Sequence, residues 1–222
     1  MLHTTTIKFL KDLKKNNTKE WFDANRKTYE NAKGDYTNLV AEIIKQFSPK
    51  DAGIAELQPK DCMFRINRDV RFSKDKSPYK TNMGAFFATG GKKSPLAGYY
   101  FHLEPGSCFV GGGLWMPDAA NVKKVRQEID YSWEEFSGII HSKKFKTLYG
   151  ELDRSEGYAL SREPKGYEKD NPAIEYIKLK SWVANSPVND TDLTDKNLIK
   201  KIITAFETLQ PMITFLNRGL EG

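Results

Sequence analysis

GYYFHLEPGSCFVGGGLW, residues 98–115, decides the fold class. Phe101 and Leu103 alternate with Tyr100, His102 and Glu104, the period-two pattern of a strand with one buried face. Pro105-Gly106 is a turn pair, because proline presets one backbone angle and glycine accepts the left-handed one. CFVGGGLW then supplies a second extended run, so the stretch predicts an antiparallel hairpin. Upstream, GAFFAT (84–89) predicts another strand. In MFRINRDVRF (63–72), Phe64, Ile66, Val70 and Phe72 alternate with Arg65, Asn67, Asp69 and Arg71, which predicts one more.

Helical periodicity flanks this region on both sides. Ile7, Phe9, Leu10 and Leu13 have helix spacing, and Asn17 with Glu20 has the shape of a capping box opening the next helix. Gly34 marks a weak point in that helix and Ser48-Pro49 its end. Further on, Asp118 or Pro117 opens a helix through Ile129, and Trp133 to Ile140 suits another. Asn171-Pro172 predicts a helix carrying Ile174, Ile177, Leu179 and Trp182. A last helix starts at Thr194 or Asp195 and is kinked or ended by Pro211. Residues 150–170 read as an irregular charged connection. Helices, then strands, then helices predict an α+β fold: a central antiparallel sheet over about residues 60–115, packed by N-terminal and C-terminal helices in a single domain, 1–222.

Composition narrows the function classes. With 222 residues, 39% hydrophobic and 12% aromatic, the chain is expected to fold and to bury roughly 70% of its unfolded surface. No run reaches the roughly 20 apolar residues of a membrane span, and the first residues lack a signal-peptide core, so a soluble cytoplasmic protein is expected. Cys62 and Cys108 match neither a disulfide framework nor a zinc spacing and read as reduced apolar fillers.

The formal net charge is +6, and its excess is concentrated. Between residues 65 and 80, Arg65, Arg68, Arg71, Lys74, Lys76 and Lys80 face only Asp69 and Asp75. On a strand, Arg65 and Arg71 point one way and Arg68 the other, onto the apolar face, where an unpaired guanidinium is too costly to leave. Ser77-Pro78 then forces a turn that rings the strand's exit with lysines. Arginine forks grip carboxylate or phosphate and lysines add mobile charge, so these six are the candidate anion-binding residues, against the plainer reading that Arg65 and Arg71 pair with Asp69, nearby acids or backbone carbonyls and only hold the loop.

His102 and Glu104 lie two apart on one strand and so share a face with Tyr100. They are the candidate catalytic pair for proton transfer, against the plainer reading of a structural hydrogen bond. Two ligands do not make a metal site, and no metal is expected. Gly111-Gly112-Gly113 is neither a Walker loop nor a dinucleotide fingerprint, so the cofactor stays unknown. Its glycines mark a bulge or a close approach of ligand or backbone. Gly112, Trp115, Tyr100, Trp21 and Asn25 are the candidate pocket wall, although Trp21, Asn25 and Tyr29 also fit an ordinary core stripe.

NNTKEWFDANRKTYE, RINRDVRFSKDKSPYKTNMGAFF and GYYFHLEPGSCFVGGGLWMP together resemble a family of uncharacterised bacterial and fungal proteins, a domain of unknown function and conserved hypothetical protein. The run R-D-x-R-F-S-K-D-K-[ST]-P-Y-K is the most specific part. The resemblance implies one domain of about this length and brings no activity, substrate or cofactor.

Residue chemistry therefore carries the functional expectation: a phosphate- or carboxylate-binding domain, with His102 and Glu104 handling protons if it is an enzyme. The partner would be an anionic small molecule, with no membrane. The alternatives are a nucleic-acid-binding protein, with Phe86, Phe87, Tyr99 or Tyr100 as stacking platforms, and a protein-interaction module on the same basic surface. Oligomeric state is not legible.

Overall fold

Phe9, Leu10 and Leu13 recur on one face of α1 (Thr4–Lys15), and all three are buried, each contributing about 1.5–3 kcal/mol. The computed structural model describes residues 1–155 and 157–221. Two further helices, α2 (Lys19–Ala24) and α3 (Arg26–Phe47), follow, and α1 packs on α3. The cap of α2 is Thr18, whose hydroxyl accepts the Trp21 N–H at 3.2 Å, rather than Asn17. Asn17 is engaged elsewhere: its amide donates to the Tyr79 carbonyl at 2.9 Å and accepts the Tyr79 N–H at 3.1 Å. The helical run breaks at Asn25 and passes through Gly34 uninterrupted.

After α4 (Pro59–Cys62) come β1 (Met83–Phe87), β2 (Gly98–Leu103) and β3 (Phe109–Leu114). Helices α5 (Ala119–Tyr131), α6 (Trp133–Ile140), α7 (Lys143–Tyr149) and α8 (Ile174–Ile177) lead to β4 (Trp182–Pro187), and α9 (Leu198–Glu221) closes the chain. The four strands form one antiparallel sheet in the order β1-β2-β3-β4, and helices pack against it, so the fold is α+β. The β2–β3 hairpin turns where Pro105-Gly106 predicts, with Gly106 at φ 87° and the Ser107 N–H on the Glu104 carbonyl at 2.7 Å. Among the described residues no helix is long and apolar enough to cross a membrane.

Three local expectations are corrected. Residues 63–72 are not a regular strand: the segment makes isolated bridges Met63↔Ala85 and Asn67↔Tyr79, and only Ile66 of its four alternating hydrophobics is fully buried, with Phe72 95% exposed. The helix after Asn171-Pro172 stops at Ile177, where the chain turns to pair with residues 158–160 through the Ala159↔Leu179 bridge and the Lys180 N–H on the Tyr158 carbonyl, and then extends as β4. Pro211 does not end the last helix, since α9 runs on past it to Glu221. Residues 150–170 carry no helix or strand where described; Glu156, within that connection, lies outside the described residues.

The elements divide into two compact units. The first comprises Met1–Lys92, Tyr100–Val110 and Pro187–Thr204. Its core joins α3 to β2: the buried Tyr36 donates to the Phe101 carbonyl at 3.1 Å, with their rings stacked at 6.3 Å. Phe22 stacks on Tyr79 at 3.9 Å and anchors the segment that precedes β1. The second unit comprises Lys93–Tyr99, Gly111–Ser186 and the residues from Ala205 on. There Phe136 packs on Phe215 at 4.9 Å, and fully buried Trp182 donates its indole N–H to the Tyr176 carbonyl at 3.0 Å. The glycine run marks close backbone approach, as its composition predicts. A methyl on Gly113, at φ 128°, would meet the Trp182 carbonyl, and one on Gly112 would meet Gly98 and Leu209.

Candidate functional site

The basic segment is a small hairpin with a side-chain-stapled tip. The Arg68 N–H bonds the Pro78 carbonyl at 2.9 Å and the Lys80 N–H bonds the Ile66 carbonyl at 2.8 Å. Asp75 holds the tip: its carboxylate accepts the Ser77 N–H at 2.9 Å and the Ser77 hydroxyl at 2.6 Å, and its other oxygen pairs with Arg68. The Ser77 bonds, and then Arg68, hold the Asp75 carboxyl far below the ordinary carboxylate range.

Each predicted cation has a distinct fate. Arg68 is only 26% exposed and meets Asp75, with the Ser73 hydroxyl at 3.4 Å, so the residue read as too costly to bury alone does find an acid. Arg71 forks onto Asp69 through Nε at 2.9 Å and Nη2 at 2.6 Å, in solvent. Lys76 donates to the Val70 carbonyl at 3.0 Å. Arg65 and Lys74 are exposed. Lys80 alone is half-buried with no acid partner among the described residues: its ammonium lies 5.5 Å from the centre of the Phe64 ring. Burial, and then the charge of Arg65, lower its pKa below the ordinary lysine value.

Arg68 and Lys80 open onto a cleft of about 440 Å³ in the first unit. Its wall adds Lys14 from α1, Asn17, and the run Tyr79 to Asn82, along with Asp75 and Ser77. Three cations therefore face one acid, and that acid is already shared. The other four predicted cations are not in this lining. Lys14, Asn17 and Asn82 escaped sequence reasoning. Asn17 offered a signal, an amide ahead of a helix that Thr18 caps better, whereas Lys14 sits in an unremarkable basic helix end.

His102 and Glu104 do share a face with Tyr100, as their spacing predicts. The Tyr100 hydroxyl and His102 Nδ1 are 3.1 Å apart, and His102 Nε2 and Glu104 Oε2 are 3.2 Å apart. One tautomer satisfies both contacts: Tyr100 donates to Nδ1, and Nε2–H donates to the carboxylate. His102 also stacks on Phe109 at 4.7 Å. Burial pushes the Tyr100 hydroxyl up to about 12. Burial raises Glu104 too, but hydrogen bonds from His102 and Thr81, with the charge of Lys14, outweigh it and leave the carboxyl below its ordinary value. Neither His102 nor Glu104 lines the cleft, yet Glu104 touches two residues that do: Thr81 donates to it at 2.9 Å and Lys14 pairs with it at 3.5 Å. The basic segment and the His–Glu pair thus meet through Thr81 and Lys14.

The five residues expected as a pocket wall do not assemble there. Trp21 stacks on Phe9 at 6.0 Å, and Asn25 donates to the Trp21 carbonyl at 2.9 Å where α2 ends, so both serve the helical layer. Tyr100 belongs to the His102 chain. Gly112 and Trp115 lie in the second unit, the indole of Trp115 bonded to the Tyr158 hydroxyl at 3.2 Å. Of the aromatics considered as stacking platforms, Phe87 and Tyr99 are buried.

The family described as Conserved hypothetical protein (DUF2461) matches residues 5–215. The chain belongs to that family. No curated protein and no solved structure matches it significantly. Family membership bears out the resemblance to a conserved hypothetical family and leaves the chemistry of the cleft to its residues.

Proposed function

We propose that the cleft binds the phosphate or carboxylate group of a small molecule, held by Arg68, Lys80 and Lys14. The supporting observation is Lys80: it belongs to the cleft wall, and its half-buried ammonium, beside the Phe64 ring and without an acid partner among the described residues, is stabilised by any anion that comes within its reach. Arg68 keeps part of its five-donor fork for a ligand while Asp75 holds it in place. If the protein is an enzyme, Glu104 and His102 are the proton-handling groups, reaching the cleft through the Thr81 hydroxyl. A cytoplasmic site of action suits the two free, buried thiols Cys62 and Cys108.

Phosphate should raise the thermal midpoint of the wild type, and Lys80→Met should remove most of that rise. Affinity should also depend on pH with a fixed sign. Lys80 titrates below the ordinary lysine range, so binding is complete below that lowered pKa and is lost as pH climbs through it. A midpoint indifferent to phosphate, or a response unchanged in Lys80→Met, contradicts the reading.

A second reading, docking of nucleic acid or a partner protein on the loop tip, is favoured by Phe72, whose exposed ring lies 5.8 Å from the Arg71 guanidinium. Binding to single-stranded nucleic acid should then weaken steeply with salt and vanish in Phe72→Ala. A flat salt response removes it.

A further inference from the structure

We infer that the cleft takes a polyhydroxylated anion, a sugar or polyol carrying a phosphate or carboxylate, rather than a bare inorganic anion or a nucleotide. This rests on the reading of the cleft as an anion site and adds the class of its ligand. Size is the first reason. A cleft of about 440 Å³ falls in the range of small-molecule sites, far more than one phosphate group fills.

The second reason is the mixture of donors and acceptors. Ser77 gives its hydroxyl proton to Asp75 at 2.6 Å, and Thr81 gives its own to Glu104 at 2.9 Å. Each hydroxyl oxygen is left with lone pairs, and Asp75 adds carboxylate oxygens beside them. Such acceptors repel an ionised phosphate oxygen but accept O–H groups. Asn82 contributes an amide that makes no hydrogen bond among the described residues and so has both a donor and an acceptor to offer. Cations to hold the charged end and acceptors to receive hydroxyl protons describe a ligand that carries both.

The third reason excludes a base. The one ring in the wall, Tyr79, is buried and stacked on Phe22 at 3.9 Å with 14° between planes. No open aromatic face in the lining is left for a nucleobase to stack on.

Calorimetric titration of the full chain at fixed ionic strength tests this with inorganic phosphate, glucose 6-phosphate, AMP, acetate and gluconate. Glucose 6-phosphate is expected to bind at least fivefold tighter than phosphate, or gluconate at least fivefold tighter than acetate. The pair that shows the gain identifies the anionic group. Asn82→Ala should cut that gain, and its thermal midpoint should match the wild type, since the side chain bonds nothing among the described residues. Gains below fivefold in both pairs, AMP binding tighter than glucose 6-phosphate, or a gain that survives Asn82→Ala combined with Ser77→Ala overturn the ligand class, while the anion site stands if phosphate still binds. If no anion binds at all, the anion reading itself fails and the ligand class falls with it.

Discussion

Replacing Arg68 with alanine is expected to weaken phosphate binding by about 10- to 100-fold, the effect of losing charge-assisted hydrogen bonds worth about 1.5–3 kcal/mol. Arg68 is the arginine that both lines the cleft and is restrained, by Asp75 and Ser73. Its removal also leaves Asp75 as an unpaired negative charge in the wall, which opposes an anion further. Lys74→Ala removes the same formal charge from an exposed position outside the lining and should change affinity less than twofold. Calorimetry on the two variants separates a site from a general field effect. Equal losses would mean that the cleft is not where the anion sits.

The largest stability effect should come from Trp182→Ala, about 3–5 kcal/mol by denaturant unfolding. Trp182 is fully buried at the start of β4, and its indole N–H is satisfied by the Tyr176 carbonyl, so truncation leaves both a cavity and an unpaired acceptor. Trp115→Ala is the internal comparison: that side chain is 67% exposed and should cost under about 1 kcal/mol. A Trp182→Ala variant as stable as Trp115→Ala would show that β4 is not packed as described.

Those two tryptophans show what the sequence could and could not reveal. The β2–β3 hairpin was legible because its alternation, its Pro-Gly turn and its glycine run all agree on one structure. β4 was hidden because Trp182, Val183 and Ala184 are all buried, so the strand has no alternating signature there and reads as the continuation of a helix opened by Asn171-Pro172. Residues 63–72 misled in the opposite direction. Alternation is present, but the segment is held by two isolated bridges and the Arg68–Asp75 pair instead of a continuous ladder, and Phe64 and Phe72 stay outside. Pro211 fails to stop α9 because Met212, Ile213, Phe215 and Leu216 are all buried just beyond it, and their combined burial exceeds the roughly 3 kcal/mol a proline costs a helix.

The charge excess at residues 65–80 was visible by counting. Which cations face a cleft was not, since that depends on which acid or carbonyl each finds first. Asp69 claims Arg71, as the plainer reading of that segment has it, while the Val70 carbonyl claims Lys76 through loop geometry that spacing does not encode. Lys14 arrives from α1 through tertiary packing alone. The His102–Glu104 pair was legible because period two fixes a shared face wherever the strand lies.

The central claim is that Lys80 is a half-buried cation awaiting an anion, and the NMR titration of its ε-carbon tests it most directly. In the free protein Lys80 should titrate below the ordinary lysine value, and saturating phosphate should move that titration upward while Lys74 stays fixed. A Lys80 titration that is ordinary in the free protein, or identical with and without phosphate, contradicts it.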